Sequence, residues 1–245
     1  MNDNTIPTQL IQTLRTAKQV VVLTGAGISA ESGVPTFRDA QTGLWAKYDP
    51  MDLATPEAFQ RDPRLVWEWY TWRRELVAKA PPNLGHLALV NMQTYLPKFT
   101  LITQNVDGLH QRAGSQQVIE LHGNLTRSKC VNEHIVDSWQ TADELPPRCP
   151  HCEQILRPDV VWFGEFLQEQ TLYKAMKTVE QCDLIFSVGT SSLVQPAASL
   201  PFIALEHGAK LVEINPDSTP LTPHVHFVLY GKSGAILPKL VDLTW

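Results

Sequence analysis

Residues 20–30 read Val20-Val21-Val22-Leu23-Thr24-Gly25-Ala26-Gly27-Ile28-Ser29-Ala30. Four apolar residues run into Gly-x-Gly-x-x-Ala, the pattern of a strand that turns sharply into a helix. In a dinucleotide-binding turn of this form the first glycine permits the tight turn and the second lets backbone approach a pyrophosphate. The small third residue lets the helix pack on the strand, and helix amides hold the phosphates. The same residues would equally suit a glycine-rich turn without a ligand. The acidic residue that ordinarily grips a ribose about 20 positions later has no clear place at the end of a second strand, so the pattern is not that of an ordinary dehydrogenase.

Outward from this turn, short Val/Ile/Leu-rich runs recur at 20–23, 99–103, 118–121, 184–188, 211–214 and 226–229. Each is too short for a buried helix and has little polar alternation, as expected of strands covered on both faces of a parallel sheet. Helix-compatible stretches at 84–95 and 171–181 separate some of them. The expected fold is α/β, a Rossmann-like, doubly wound, mostly parallel sheet. Residues 37–80 hold several tryptophans at helical spacing, and residues 124–157 are polar and carry three of the four cysteines. Both read as insertions forming a smaller helical and zinc-ribbon domain. The dinucleotide-binding domain is then discontinuous, at 1–36, 81–123 and 158–245.

The 245 residues carry 20 Lys+Arg against 25 Asp+Glu, a net charge of -5. That balance disfavours direct nucleic-acid or anionic-membrane binding, which needs clustered basic residues. No long apolar run or basic-then-apolar leader is evident. A cytoplasmic protein that acts as a monomer is the expectation. A Cys-x-x-Cys among four cysteines suggests metal or redox chemistry rather than a disulfide framework.

The stretch continues Glu31-Ser32-Gly33-Val34-Pro35-Thr36-Phe37-Arg38-Asp39. Further on come Thr103-Gln104-Asn105-Val106-Asp107-Gly108-Leu109-His110, Leu121-His122-Gly123-Asn124, Val161-Trp162-Phe163-Gly164-Glu165 and Val188-Gly189-Thr190-Ser191-Ser192. Together these five motifs, in this order across most of the chain, resemble the sirtuins, which consume NAD to remove acyl groups from lysine side chains. The resemblance implies that Gly25, Ala26, Gly27, Ala30, Phe37, Arg38, Gln104, Gly189, Ser191, Ser192, Asn215 and Ser233 bind NAD. Asn105 and Asp107 would hold the nicotinamide amide and its ribose, although Asn-x-Asp alone also suits a simple turn. His122, at the end of a strand, would be the general base toward a ribose hydroxyl. Val161, Phe163, Gly164 and Glu165 would take the acyl-lysine protein as an extended peptide added to the fold as a strand.

Tyr70 and Arg73 lie three apart, on one helix face. With Ala54 they resemble the acyl pocket of sirtuins that remove succinyl or malonyl groups, where phenol and guanidinium grip a carboxylate. An aromatic core stripe with a snorkelling arginine is the competing reading, and for the tryptophans around them it is the preferred one. Cys149 and Cys152 form half a zinc ribbon with Cys130, but the family's fourth cysteine is replaced. Glu133 stands at the expected position and His134 one beyond, within zinc-ligand spacing, which gives Cys130, His134, Cys149 and Cys152 as the expected structural zinc set. His151 is the weaker fourth candidate, and a degenerate, metal-free site is the alternative. Plain deacetylation, mono-ADP-ribosyl transfer and a non-catalytic NAD sensor compete with acidic-acyl removal.

Overall fold

The computed structural model describes residues 5–35, 47–137 and 145–245. Six strands, β1 (Gln19–Thr24), β2 (Lys98–Thr103), β3 (Val118–Glu120), β7 (Leu184–Val188), β8 (Lys210–Asn215) and β9 (Phe227–Tyr230), form a parallel sheet ordered β3-β2-β1-β7-β8-β9. Along β1, Val20 and Val22 enter one core while Val21 and Leu23 enter the other. Each side chain is removed from water, which favours folding by about 1.5–3 kcal/mol apiece, and alternation therefore vanishes from the sequence. On the first face lie α1 (Thr8–Thr16), α6 (Leu84–Tyr95) and α10 (Ser233–Thr244), and on the second α8 (Glu169–Val179) and α9 (Leu200–Glu206). Connections leave β1 toward β2 on one side and proceed from β7 to β8 on the other, so the topology reverses between β1 and β7. Ligands of open α/β sheets bind at such a point, beyond the carboxyl ends of the strands.

The expected elements fall close to these bounds, and the run at 226–229 is shifted by one residue to β9. The helical stretch before residue 80 contains α3 (Pro50–Leu53), α4 (Pro56–Arg61) and α5 (Pro63–Lys79). Helix α5 begins where the Asp62 carboxylate accepts from the Leu65 amide, with Pro63 supplying a preset first residue, and it stops before the Pro81-Pro82 pair. Trp67 and Trp69 are fully buried, as the packing reading expects.

A second sheet, ordered β5-β4-β6, pairs β4 (Gly123–Lys129) antiparallel with β5 (Ile135–Val136) and β6 (Arg157–Val160). Its strands overrun the expected insert of 124–157 at both ends. Arg74 stitches α5 to β4 by donating from Nε to the Leu125 carbonyl (2.6 Å) and from Nη2 to the Arg127 carbonyl (2.8 Å). Trp67 Nε1 donates to the Leu156 carbonyl (2.8 Å), tying the same helix to the cysteine-bearing segment.

Candidate active site and metal centre

Two glycine loops interlock at the topological reversal. Gly25 and Gly27 donate to the carbonyls of Val188 and Gly189 (3.0 and 2.8 Å). A Cβ on Gly27 would lie 2.7 Å from Gly189 Cα, and one on Gly189, at φ +60°, would lie 2.5 Å from the Ile28 nitrogen. These contacts are closer than real Cβ atoms make, so glycine is demanded first by loop-on-loop packing. Helix α2 (Gly27–Ala30) is a single turn. Its Gly27, Ile28 and Ser29 amides donate within the fold, to the carbonyls of Gly189, Gly25 and Ala26. Ala30 is exposed, so its size is not set by packing on β1; Ile28 and Ser29 are the buried residues of that turn.

The buried Ser29 joins the β1 loop to the loop after β2. Its hydroxyl donates to Asp107 Oδ2 (2.7 Å) and accepts from Asn105 Nδ2 (3.1 Å). Asp107 Oδ1 also accepts from the Leu109 amide (2.9 Å), the first residue of α7 (Leu109–Ala113). Burial raises the Asp107 pKa, opposed by these hydrogen bonds and by the positive charge of Arg73. Beneath this layer, Thr24 Oγ1 donates to Thr103 Oγ1 (2.8 Å) and pairs with His110 Nε2 (3.0 Å), while Thr103 Oγ1 accepts from the Asn105 amide (3.0 Å). His110 therefore lies under the site, with its ring 4.8 Å from that of His86. Sequence reasoning did not single out Ser29, which joins the two loops; its place inside the first motif was the available signal.

His122 follows β3, and its Nδ1 lies 2.9 Å from the Gln104 carbonyl. A carbonyl only accepts, so the neutral ring carries its proton on Nδ1 and presents Nε2 as a lone pair. Burial lowers its pKa, which keeps that lone pair available at neutral pH. The Gln104 amide in turn donates to the Thr24 carbonyl (3.0 Å), and the Val161 amide to the His122 carbonyl (2.9 Å). Gly123, at φ +78°, has no room for a side chain, because a Cβ would sit 2.2 Å from the Asp159 carbonyl oxygen.

Tyr70 is only 3% exposed, and its hydroxyl accepts from Trp162 Nε1 (2.9 Å). Burial pushes the phenol up to about 12, so it keeps its proton. Arg73 lies over the Trp69 ring (4.9 Å); burial lowers its pKa, opposed by its nearness to Tyr70 and to the Asp107 carboxylate. Ala54 is buried, and its carbonyl accepts from the Phe163 amide (2.9 Å). The Glu165 carboxylate is held by both Arg157 guanidinium nitrogens (2.6 and 2.9 Å) and by the Trp162 amide (2.8 Å). With the amides of Val161, Trp162, Phe163 and Glu165 committed internally, an added peptide would be held by carbonyl oxygens more than by amides. Phe163 and Gly164 are exposed.

Ser191 and Ser192 follow β7, and Ser192 adopts φ 55° with its amide donating to Thr190 Oγ1 (2.9 Å). Asn215 ends β8 and donates from Nδ2 to the Thr190 carbonyl (2.8 Å), gathering the two strand ends. Ser233 is nearly buried and donates to Glu31 Oε1 (3.3 Å), the carboxylate that also accepts from the Gly234 amide at the start of α10. Phe37 and Arg38 lie outside the described residues. The strand ends thus bring amide, carboxylate, imidazole and hydroxyl groups together around the glycine loops, a donor and acceptor set that fits a dinucleotide.

The ligand atoms of Cys130, His134, Cys149 and Cys152 all lie within 4.8 Å of one another. Cys130 Sγ is 3.5 Å from His134 Nδ1 and 3.6 Å from Cys152 Sγ, and Cys149 Sγ is 3.6 Å from His134 Nδ1. Zinc–sulfur bonds of about 2.3 Å and zinc–nitrogen bonds of about 2.0 Å set tetrahedral edges of about 3.5–3.8 Å, so three thiols and one imidazole are spaced for it. Glu133, at φ 58°, turns the chain back, and its carboxylate pairs with Lys129 (3.5 Å). The residue at the family's cysteine position therefore points elsewhere, while His134 enters the cluster. His151 is exposed and outside it.

A family model described as "Sir2 family" matches residues 25–196. The NAD-dependent protein deacylase of Aquifex aeolicus is 52% identical over 226 residues, covering 91% of this chain and 94% of its own. The NAD-dependent protein deacylase 1 of Archaeoglobus fulgidus is 48% identical over 235 residues, covering 95% and 96%. The solved structure of a Sir2 homologue in complex with NAD superposes with a TM-score of 0.90 at 47% identity, covering 98% of this chain and 94% of that one. With the glycine loops, the strand-end polar groups and the three-thiol, one-imidazole cluster all in place, the chain belongs to the Sir2 family, the sirtuins.

Proposed function

We propose that this chain is an NAD-dependent protein-lysine deacylase that favours acyl groups ending in a carboxylate, such as succinyl and malonyl, and also accepts acetyl. The products would be nicotinamide, O-acyl-ADP-ribose and free lysine. NAD, when bound, supplies a ribose carbon from which nicotinamide departs. In this reading Gly25, Ala26, Gly27, Ala30, Gly189, Ser191, Ser192, Asn215 and Ser233 surround the dinucleotide at the reversal between β1 and β7. Ser29 braces Asn105 and Asp107 so that an amide and a carboxylate face the nicotinamide riboside. His122 accepts a proton at Nε2 from a ribose hydroxyl and later returns it, with Gln104 fixing the tautomer. The segment 161–165 holds the substrate peptide, and the second sheet with α3–α5 forms a smaller domain above the larger one. The four-ligand cluster holds one zinc and leaves no position for a catalytic water. The protein acts as a cytoplasmic monomer.

The acyl preference rests on one observation: a buried phenol that keeps its proton, Tyr70, stands one helical turn from a half-buried guanidinium, Arg73. A carboxylate brought there meets a charge and a donor, each charge-assisted bond favouring it by about 1.5–3 kcal/mol. The test is mass-spectrometric turnover of matched acetyl-, malonyl- and succinyl-lysine peptides with NAD, alongside nicotinamide release. Higher kcat/KM for succinyl- and malonyl- than for acetyl-lysine is the expected result. A protein that releases nicotinamide only with acetyl-lysine is a plain deacetylase, and one that turns over no acyl peptide refutes the deacylase reading.

A further inference from the structure

We propose that Trp162 is a specificity-setting positioning residue, because its indole N–H fixes the Tyr70 hydroxyl as a donor toward the distal end of the acyl group. The inference rests on the acidic-acyl reading above. A phenol has one proton to give and oxygen lone pairs to receive. Trp162 Nε1 has no acceptor capacity, so at 2.9 Å it can only donate to Tyr70 Oη. The receiving side of the phenol is thereby occupied, and its own proton must point away. Among the described residues no acceptor for that proton is present, although the side chain is only 3% exposed. A buried donor without a partner costs stability, which marks a place where a ligand acceptor belongs.

The indole is packed by two neighbours. Arg157 lies over its ring at 3.4 Å and the Phe59 ring packs at 5.2 Å. Arg157 is itself forked onto Glu165, and Glu165 returns to the Trp162 amide. The orientation of the Tyr70 proton is therefore set by the loop proposed to carry the peptide, so peptide seating and acyl recognition are linked through one side chain. A carboxylate-ended acyl group satisfies the waiting donor. An acetyl methyl leaves it unpaired, and a site built to hydrogen-bond a group discriminates against an analogue lacking it. Trp162 would thus act on the choice between acyl groups without touching the acyl group itself.

The test measures the ratio of kcat/KM for succinyl-lysine to that for acetyl-lysine on the same peptide. Trp162→Phe keeps an aromatic ring and removes the N–H. Replacement of Trp162 by benzothienylalanine keeps the indole shape and exchanges the N–H for sulfur, so a packing defect in the first variant does not decide the matter. Both should lower the ratio by about two- to ten-fold, the worth of one net hydrogen bond, mainly through KM for the succinyl peptide. In a Tyr70→Phe background the same replacements should change the ratio no further, because the partner is already gone. A ratio lowered by Tyr70→Phe but untouched by both Trp162 replacements overturns this inference and leaves the acidic-acyl reading standing. Full additivity with Tyr70→Phe also overturns it, since Trp162 would then act independently of the phenol. A wild-type protein that does not turn over succinyl-lysine overturns both.

Discussion

Acidification should destabilise this protein through two buried imidazoles beneath the proposed site. His86 and His110 are 0% and 1% exposed. Burial lowers their pKa values to about 4 and about 3, with Glu31 partly opposing the shift at His86 and the neighbouring imidazole adding to it at His110. In the unfolded chain both titrate near 6.5. A depressed folded-state value means that the unfolded state binds protons first, so the stability these groups contribute is present above about pH 6.5 and is lost below it. Between pH 7 and pH 5 each imidazole should cost about 2 kcal/mol, together about 4 kcal/mol. For a chain of this length that corresponds to a fall in Tm of about 10 °C. The raised Asp107 carboxyl works in the opposite sense, so the decisive measurement is a comparison. Asn83 donates its amide to His86 Nδ1 (3.3 Å) in the capping box of α6, and glutamine at that position supplies an equivalent acceptor. His86→Gln therefore removes a titrating group while keeping the cap. Burial depresses His122 in the same sense, so thermal unfolding followed by circular dichroism should show a fall in Tm smaller by about 5 °C in the variant, the share of one imidazole. An identical fall in Tm in both proteins would refute the assignment of the acid sensitivity to this pair.

What the sequence disclosed depended on how the physics distributes its signal. Strands β1, β7 and β8 are legible because burial on both faces forces uninterrupted Val, Ile and Leu, and no partner is needed to read that. Strand β4 is not, since Thr126, Arg127, Ser128 and Lys129 carry no apolar period; the strand is held by Arg74 from α5 and by pairing to residues some thirty positions later. Asn105 and Asp107 were visible within their motif, but the serine that joins them comes from another strand end. The fingerprint glycines were visible too, yet their cause was misplaced: Gly25, Gly27 and Gly189 exclude side chains chiefly because the two loops meet. The metal cluster follows from spacing once His134 is considered, whereas the turn at Glu133 that brings it inward is a backbone conformation without a local sequence signature. Trp162 reads as core packing until its nitrogen is seen on Tyr70.

Three further outcomes are expected. His122→Ala should lower deacylation by roughly 10²- to 10⁴-fold, the usual cost of losing a general acid–base group; with His122 depressed by burial, the acid limb of kcat/KM in the wild type should fall below the ordinary imidazole value near 6.5. Unchanged turnover in folded His122→Ala protein would remove it from the mechanism. Metal analysis should find one zinc per chain and a clear loss of it in His134→Ala, with chelation lowering Tm; full zinc occupancy in that variant would exclude His134 as a ligand. Tyr70→Phe and Arg73→Met should each weaken desuccinylation far more than deacetylation, because a succinyl carboxylate entering a buried pocket without its charged partner loses on the order of 2–5 kcal/mol, and the phenol proton alone contributes less. The loss should lie mainly in KM, since a carboxylate remote from the reacting carbon is held alike in the ground and transition states; equal losses for both acyl groups would mean that Tyr70 and Arg73 only pack α5 against the segment carrying Trp162.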